Sequence, residues 1–397
     1  FRKPRITTGA ITRGNDIINS VDVGDGFKLK FVWTTDWKLC TNCYRSDTFQ
    51  RIHHLLEIPE FFCCSCNVYF ANLCSFNKTH VANDIETADI DILKLFYSIL
   101  GSDGHESLYS ANFLAEFHYK TWIEGRRLKP IFWQGASVSS KVCNVDVDSF
   151  LNSADGARKV FQSLLDYGVA FINNVEVSEQ ATEKVCQALG GVQHTLFGGM
   201  WKVSTVREHA DTAYTTVPLA VHNDNTYFTE AAGLQIFHCM EHENGTGGET
   251  VLLDGFHGAM QLKRDHLEDF EFLTRFDLAA EYLEDGYHHS HSAPVISLDK
   301  YNDIRQIRFN VYDRSPMAFA SGAECRSYYR ALRNLSRYYE DKRNQWCFKL
   351  MPGTLLVFDN FRVLHGRVGF TGHRVLSGSY VSRSDWLSRA RVLRLIQ

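Results

Sequence analysis

Residues 220–228, with the sequence AVHNDNTYF, place a histidine and an aspartate one residue apart in a half-apolar run typical of a β-strand. Side chains at positions i and i+2 of a strand point to the same side of the sheet, so His222 and Asp224 could bind one metal ion. A second pair of the same type, His209 and Asp211, lies a few residues earlier. The spacing permits a metal site but does not choose between the two pairs.

A third ligand is needed for the arrangement of two histidines and one carboxylate that holds iron in non-haem oxygenases. His365 lies in the segment FDNFRVLHGR, after an apolar strand and a turn, and is predicted to stand at a strand end. A histidine of this kind, taken alone, is more often a core residue that is hydrogen-bonded to the backbone.

Arg374 begins the predicted strand RVLSGSY shortly after His365. A buried guanidinium needs an anionic partner, and a carboxylate matches its geometry through two hydrogen bonds. For an isolated arginine the commoner partner is an Asp or Glu of the same protein. Together, the H-x-D pair, the distal H-G-R and the following arginine indicate an Fe(II) site beside a dicarboxylate co-substrate.

The composition of the whole chain favours a small-molecule partner. The 397 residues are 44% hydrophobic and 22% charged, with a formal net charge of −4. This charge gives no basic field for nucleic acid or an anionic membrane. No apolar run approaches the roughly 20 residues that span a bilayer. We therefore expect neither a nucleic-acid nor a membrane partner.

Two features bear on the compartment. The first residues, FRKPRITTGAITRGN, are basic and free of acids, which fits either the end of a mitochondrial transit peptide or a disordered basic terminus. The 11 cysteines are an odd number in a chain without a secretory signal, which favours reduced thiols.

Six of the cysteines precede Cys143, and this crowding suggests a metal in the N-terminal part.

Two domains are predicted. Residues 1–127 contain a strand in FKLKFVW and a hairpin in LKLFYSILGSDGHESLYS, which indicates a small β-rich domain. Residues 128–397 begin with helical segments, one closed by Gly168 and one running from a Ser178 cap to Gly190. Many short strands with glycine turns follow. This order predicts a mostly β fold with flanking helices, built as a sandwich or jelly-roll barrel.

Several segments of the second domain resemble the γ-butyrobetaine/trimethyllysine dioxygenase family, and more closely its trimethyllysine-hydroxylating branch. They are DTAYTT, HNDNTYF, LQIFHC, GTGGETVLLDGF, RFNVYDR, FDNFRVLHGR, FTGHRVLSGSY and ARVLRL. The resemblance covers roughly residues 145–397 in order. It implies a catalytic domain folded as a double-stranded β-helix, or jelly roll.

The resemblance also implies the cofactors and their ligands. His222, Asp224 and His365 correspond to the Fe(II) ligands, and Arg374 to the residue that binds the distal carboxylate of 2-oxoglutarate. His209 falls outside the pattern. In this family O2 and 2-oxoglutarate are consumed, and succinate, CO2 and a hydroxylated substrate are formed. Ascorbate dependence, a mitochondrial matrix location with the cytoplasm as the alternative, and a homodimer are further implications.

Substrate binding is implied for six residues. A quaternary ammonium group donates no hydrogen bonds, so a site that selects it should use aromatic faces. Family members place aromatic side chains at four positions as a trimethylammonium cage, the first usually tyrosine. Asp211 would pair with the α-ammonium of trimethyllysine, and Asn310 would contact the amino-acid end. The cage positions are Phe197, Trp201, Tyr214 and Tyr380.

A zinc site is implied in the N-terminal domain. Relatives bind zinc through C-x-C-x-x-C and a distant P-D-G-H, and WKLCTNCY with SDGH provides Cys40, Cys43 and His105. Lys38 stands where relatives have the first cysteine, so one ligand is missing. The segment 58–85 has no recognised counterpart and is interpreted either as a lineage insertion or as the product of a mistaken gene prediction.

The favoured function is the Fe(II)- and 2-oxoglutarate-dependent hydroxylation of N6,N6,N6-trimethyllysine at C-3, a step of carnitine biosynthesis. Hydroxylation of γ-butyrobetaine is the alternative within the family. A catalytically silent jelly-roll binding module is the alternative from another class.

Overall fold

The computed structural model describes residues 124–204, 215–243, 245–284 and 286–396, together with the backbone of short strands before residue 124. The chain divides into two compact units, Phe1–Arg127 and Leu128–Gln397.

In the first unit, β1 pairs with β2, β3 with β4, and β5, β6 and β7 form one sheet. The predicted strand in FKLKFVW and the predicted hairpin are confirmed by β2 and by the antiparallel pair β6–β7. Cys40, Cys43 and His105 lie outside the described residues, as does the segment 58–85 apart from β5. The strands are β1 (Asn19–Asp22), β2 (Lys28–Phe31), β3 (Tyr44–Arg45), β4 (Gln50–Arg51), β5 (Phe76–Asn77), β6 (Phe96–Leu100) and β7 (Glu106–Ser110).

The second unit is built on two main sheets, and two small two-stranded sheets lie beside them. Its strands are β8 (Asn144–Asp146), β9 (Val169–Asn173), β10 (Met200–Val203), β11 (Leu219–His222), β12 (Leu234–Glu243), β13 (Thr250–Asp254), β14 (Asp277–Glu284), β15 (Tyr287–Pro294), β16 (Ile296–Leu298), β17 (Ile304–Ile307), β18 (Trp346–Phe348), β19 (Leu355–Asp359), β20 (Val363–Arg367) and β21 (His373–Val381). The larger sheet has the order β10-β21-β12-β19-β9-β8, and the smaller has β11-β20-β13-β18. All neighbours are antiparallel except β8 and β9.

Helices flank both sheets. They are α1 (Val147–Asn152), α2 (Ala154–Tyr167), α3 (Glu179–Leu189), α4 (Gly255–Asp265), α5 (Leu267–Leu273), α6 (Gly322–Glu340) and α7 (Arg383–Val392). One apolar core joins α2, α3 and α7 to the larger sheet, and another joins α4, α5 and α6 to the smaller sheet. A third core lies between the sheets. The unit is therefore a sheet-rich fold with helices on its outer faces, as the sequence pattern predicts.

The period-2 pattern of the strands explains how one sheet serves two cores. In β19, Leu355 and Val357 face the helices, whereas Leu356 and Phe358 face the smaller sheet. Alternate side chains of a strand point to opposite faces, and a strand buried on both faces becomes continuously apolar. The sequence TLLVFD has this composition.

The predicted helix ends are confirmed with one difference. Gly168 adopts a left-handed φ of 74° at the end of α2, which glycine tolerates without strain. Ser178 caps α3 by accepting a hydrogen bond from the Ala181 N–H. The single periodic run before Gly168 forms two helices, because Ser153 is extended and caps the second of them through the Gly156 N–H.

Other elements depart from the sequence pattern. The strand predicted over IRQIRFNVY stops at Ile307, and the hairpin β14–β15 and helices α4 and α5 are not predicted. The predicted helical insertion corresponds to α6. At the C-terminal end, Trp386 and Ala390 of α7 are buried in the helix-side core of the larger sheet. This helix therefore packs on its own domain.

A buried ion pair fixes the turn between β19 and β20. Arg362 and Asp254 are joined at 2.8 Å, with 2% and 0% of their side chains exposed. Arg362 also donates to the carbonyl oxygens of Asp166 and Ile131. Asp254 accepts from the Phe256 N–H at the start of α4. One charged pair thus connects both sheets, the start of α4 and the N-terminal segment of the second unit.

Among the described residues, no helix combines the length and hydrophobicity that crossing a membrane requires.

Replacing Arg362 with Met should lower the free energy of unfolding by about 3–5 kcal/mol, because it leaves the Asp254 carboxylate buried without a counter-charge. Chemical denaturation measures this change. Arg264→Met is the matched control, since Arg264 pairs with Asp265 at an exposed position and should matter little. Equal effects of the two substitutions would contradict a structural role for the buried pair.

Candidate metal and substrate site

Backbone pairing brings two of the predicted site histidines together. His222 ends β11 and lies directly opposite His365 in β20. The two imidazole centroids are 4.4 Å apart. Nδ1 of His222 donates to the Ala220 carbonyl oxygen at 2.8 Å, which leaves Nε2 free to act as a ligand.

Asp224 reaches the same place by a route that differs from the predicted one. The strand ends at His222, so the two side chains do not share a face through a strand pleat. The backbone turns instead, with Asn225 at a left-handed φ of 61°, a conformation that asparagine adopts more readily than most residues. Asn360 clamps this turn, because its amide accepts from the Asp224 N–H and donates to the Asp224 carbonyl, both at 3.0 Å.

The three predicted ligands form one cluster. Asp224 Oδ1 lies 3.3 Å from Nε2 of His222 and 3.6 Å from Nε2 of His365. The ligand atoms of all three lie within 4.8 Å of one another, and both histidines are buried. Two imidazole nitrogens and a carboxylate oxygen that converge in this way match the donor set of a non-haem iron site. Among the described residues, this is the one such cluster of three or more.

The electrostatics of the cluster suit metal binding. Burial, and the neighbouring His222, lower the pKa of His365 to about 3, so its imidazole is neutral at physiological pH. Burial would raise the pKa of Asp224, but the charges and hydrogen bonds of the surrounding groups outweigh it and lower that pKa. Burial would lower the pKa of His222, yet its contact with Asp224 raises it. A bound metal ion would displace the proton that this raised pKa favours on His222, because metal ligation requires a neutral imidazole and an ionised carboxylate.

The outer oxygen of Asp224 is held by two donors. Tyr380 donates its hydroxyl to Oδ2 at 2.7 Å, and Gln235 donates its amide N–H at 2.6 Å. Oδ1 faces the histidines. The carboxylate therefore has one oxygen engaged by the protein and one directed to the proposed metal position.

A cavity opens above the cluster and contains most of the predicted residues. Its lining includes His222, Asp224 and His365 together with Arg374, the aromatic residues Phe197, Trp201 and Tyr380, and Asn310. Asp211 and Tyr214 lie outside the described residues, as does His209, so their predicted positions stay predictions.

Arg374 is buried in the cavity wall at the start of β21. No acidic side chain of the described residues forms an ion pair with it. Its guanidinium carbon lies 5.7 Å from the ring centroid of Phe370, and that of Arg367 lies 4.9 Å from the same ring. Burial lowers the pKa of Arg374 without a carboxylate to offset it. Such a guanidinium favours an anionic ligand.

The aromatic residues form one wall. The ring centroids of Trp201 and Tyr380 are 5.7 Å apart, and Phe237 lies at the same distance from Trp201. Trp201 on β10 lies opposite Gly378 on β21. A Cβ at position 378 would come within 2.1 Å of the indole, so the tryptophan ring can lie over that strand because the residue is glycine.

Asn310 lines the cavity, but its amide is used within the protein. Its Oδ1 accepts from the Tyr312 N–H at 2.9 Å, and its Nδ2 donates to the Asn223 carbonyl at 3.2 Å. These bonds shape the loop that brings Tyr312 and Asp313 to the cavity. Asn310 thus has a structural task in addition to its predicted contact with the amino-acid end.

Sequence reasoning missed several residues of the site. Its candidates did not include four residues that line the cavity or form hydrogen bonds with Asp224, namely Gln235, Asn360, Tyr227 and Asp313. A signal exists for Gln235, which is a polar residue between apolar neighbours in LQIFHC. Asn360 lies within FDNFRVLHGR, but its role depends on a contact with a segment far away in the sequence.

Comparison with known proteins identifies the family. The family model described as taurine catabolism dioxygenase TauD, TfdA family, matches residues 125–380. Mitochondrial trimethyllysine dioxygenase of Homo sapiens is 36% identical over 378 residues, which cover 93% of this chain and 83% of the relative. Trimethyllysine dioxygenase of Meyerozyma guilliermondii is 31% identical over 396 residues, covering 95% and 93%.

Among solved structures, a taurine dioxygenase from Burkholderia xenovorans is similar at a TM-score of 0.48 and 14% identity, covering 65% of this chain and 91% of that one. The family match covers more than half of the chain, and the two named relatives exceed 30% identity over nearly all of it. The resemblance predicted from the motifs is thereby confirmed, and the chain belongs to the TauD/TfdA family of dioxygenases.

Proposed function

We propose that this protein is an Fe(II)- and 2-oxoglutarate-dependent dioxygenase that hydroxylates trimethyllysine at C-3, as a step of carnitine biosynthesis. One observation carries the proposal: a single cavity contains a cluster of two histidines and an aspartate, a buried arginine that has no acidic partner among the described residues, and an aromatic wall. Relatives named trimethyllysine dioxygenase match over 90–95% of the chain.

The residues of the cluster fit an iron ion. His222, Asp224 and His365 would hold it, since their ligand atoms already converge and the carboxylate is ionised. When bound, Fe(II) supplies the coupling of O2 reduction and 2-oxoglutarate decarboxylation to the oxidation of a C–H bond. The protein contributes three ligands only, which leaves coordination positions for the co-substrates.

Arg374 would bind the distal carboxylate of 2-oxoglutarate. Its side chain is 6% exposed and lines the same cavity as the cluster. Phe370 lies against the guanidinium and limits its freedom. A dicarboxylate supplies the negative charge that the described protein residues do not, and the planar fork can hold both oxygens.

The substrate would lie against the aromatic wall. Phe197, Trp201 and Tyr380 line the cavity, and their faces attract a trimethylammonium cation that offers no hydrogen bond. Tyr214 is proposed as a fourth member of this cage. Asp211 is proposed to pair with the α-ammonium of the substrate, and Asn310 to contact its amino-acid end. The side-chain hydrogen bonds of Asn310 to Asn223 and Tyr312 hold its amide at the cavity surface.

Further elements of the proposal concern the protein as a whole. We propose that the two sheets form a double-stranded β-helix, with a domain boundary at residues 127 and 128. The first domain would bind zinc through Cys40, Cys43 and His105, which elemental analysis of the purified protein would show. Ascorbate dependence, a homodimer and a mitochondrial location are proposed from the family resemblance, and four relatives from mammals are named mitochondrial.

The purified protein, supplied with Fe(II), 2-oxoglutarate and O2, should release succinate in response to trimethyllysine, and much less in response to γ-butyrobetaine. The product should carry one added oxygen atom by mass spectrometry. A preference for γ-butyrobetaine would favour the alternative hydroxylase. Without succinate release for either substrate, a binding module would be the better interpretation.

Replacing His365 or Asp224 with Ala should abolish Fe(II) binding and turnover, because two remaining ligands cannot hold the ion in this geometry. Metal binding is measured by titration of the metal-free protein. His373→Ala is the matched control, since His373 lies at an exposed position on β21, which belongs to the larger sheet. Metal binding that survives in the Asp224 variant would contradict the assignment.

Arg374→Ala should raise the KM for 2-oxoglutarate about tenfold or more while Fe(II) stays bound, since a charge-assisted contact contributes about 1.5–3 kcal/mol. Initial rates at varied 2-oxoglutarate measure the effect. Arg374→Lys should rescue only part of it, because an ammonium lacks the two-pronged geometry. An unchanged KM in the Ala variant would exclude the anchor role.

Asp211→Asn should reduce kcat/KM for trimethyllysine and raise the relative rate with γ-butyrobetaine. An aspartate facing the amino-acid end pairs with the α-ammonium and repels a lone carboxylate, by roughly 1–3 kcal/mol in a partly desolvated pocket. The ratio of kcat/KM for the two substrates is the measurement. If the ratio does not change, Asp211 does not contact the substrate.

A further inference from the structure

Gln235 is a polar residue in the interior of the larger sheet. It lies in β12 between Leu234 and Ile236, whose side chains face the helix-side core. By the alternation of a strand, Gln235 faces the opposite way, and it lines the cavity. Its side chain is 1% exposed. A primary amide at this depth needs a hydrogen-bonding reason.

That reason is the outer oxygen of Asp224. The amide Nε2 lies 2.6 Å from Asp224 Oδ2. The orientation of the amide is fixed by chemistry, because the flipped amide would bring its oxygen against a carboxylate oxygen at the same distance, and neither can donate. A hydrogen bond from an amide N–H to a carboxylate oxygen is charge-assisted and stronger than one between neutral groups.

The other half of the amide supports this interpretation. Oε1 of Gln235 is buried and has no hydrogen-bond partner among the described residues. Burying an acceptor without a partner costs free energy, and an unbranched apolar side chain of the same length would fill this place without that cost. Packing alone therefore does not explain a glutamine here.

We propose that Gln235 is a positioning residue for the metal-binding carboxylate. Its N–H, together with the Tyr380 hydroxyl, engages Oδ2 and keeps Oδ1 directed toward His222 and His365. The carboxylate is thereby held to one metal-binding oxygen, and the position that its second oxygen would occupy stays open for the co-substrates. This inference rests on the proposed function, since it assumes that the cluster binds Fe(II).

The test compares Gln235→Met with wild type in a titration of the metal-free protein with Co(II). Methionine keeps the length of the side chain but cannot donate. The Kd for Co(II) should rise about 10–100-fold, which is the usual effect of removing a partner of a metal ligand. The visible absorption of the bound Co(II) should change as well, because it reports coordination, and a merely structural role would not move it.

Gln193→Met is the matched control. Its Nε2 donates to the Glu230 carbonyl and its Oε1 has no described partner, but it lies outside the cavity. This variant should bind Co(II) with the affinity and spectrum of wild type. Thermal unfolding of the metal-free proteins checks that each variant folds, and Gln235→Leu replaces the methionine variant if that one does not.

A double-mutant cycle with Tyr380→Phe adds a second measurement. Each single substitution leaves one donor on Oδ2, whereas the double variant leaves none, so its loss of affinity should exceed the product of the single losses. Wild-type affinity and spectrum in the Gln235 variants would overturn the inference and leave the proposed function intact. A wild-type protein that binds neither Co(II) nor Fe(II) would instead overturn the proposed function.

Discussion

The pairing of β11 with β20 is the constraint on which the rest of the site depends. It sets His222 opposite His365 across two antiparallel strands. β20 is itself fixed between β11 and β13. The turn that precedes it is held by the buried pair of Arg362 and Asp254. The position of the second histidine is thus determined by the packing of the whole sheet.

Side-chain hydrogen bonds, rather than strand geometry, place the third ligand. Asn360 clamps the backbone of Asp224, and Gln235 and Tyr380 hold its outer oxygen. The hydrogen bonds of Gln235 and Tyr380 to Oδ2 compensate for the burial of a charged carboxylate, which would otherwise be costly. Tyr380 also forms part of the aromatic wall. One side chain therefore belongs to the proposed substrate cage and at the same time forms a hydrogen bond with the proposed iron ligand Asp224.

The cavity combines three chemical environments at its surface. Arg374 provides a buried positive charge without a described acidic partner, and the cluster around Asp224 provides a negative one. The aromatic wall near Trp201 offers faces that attract a cation without a hydrogen bond. A dicarboxylate co-substrate and a quaternary ammonium substrate suit these environments.

The sequence by itself determined the types and order of the chemical groups: the H-x-D pair, the distal histidine and arginine, the aromatic candidates and the sheet-rich fold with flanking helices. These features are local, since periodicity, caps and motifs lie within short segments. The tertiary structure decided that Asp224 stands in a turn beyond its strand and that Gln235 and Asn360 hold it. Such contacts join residues far apart in the chain, and only the packing of the sheets brings their atoms within hydrogen-bonding distance.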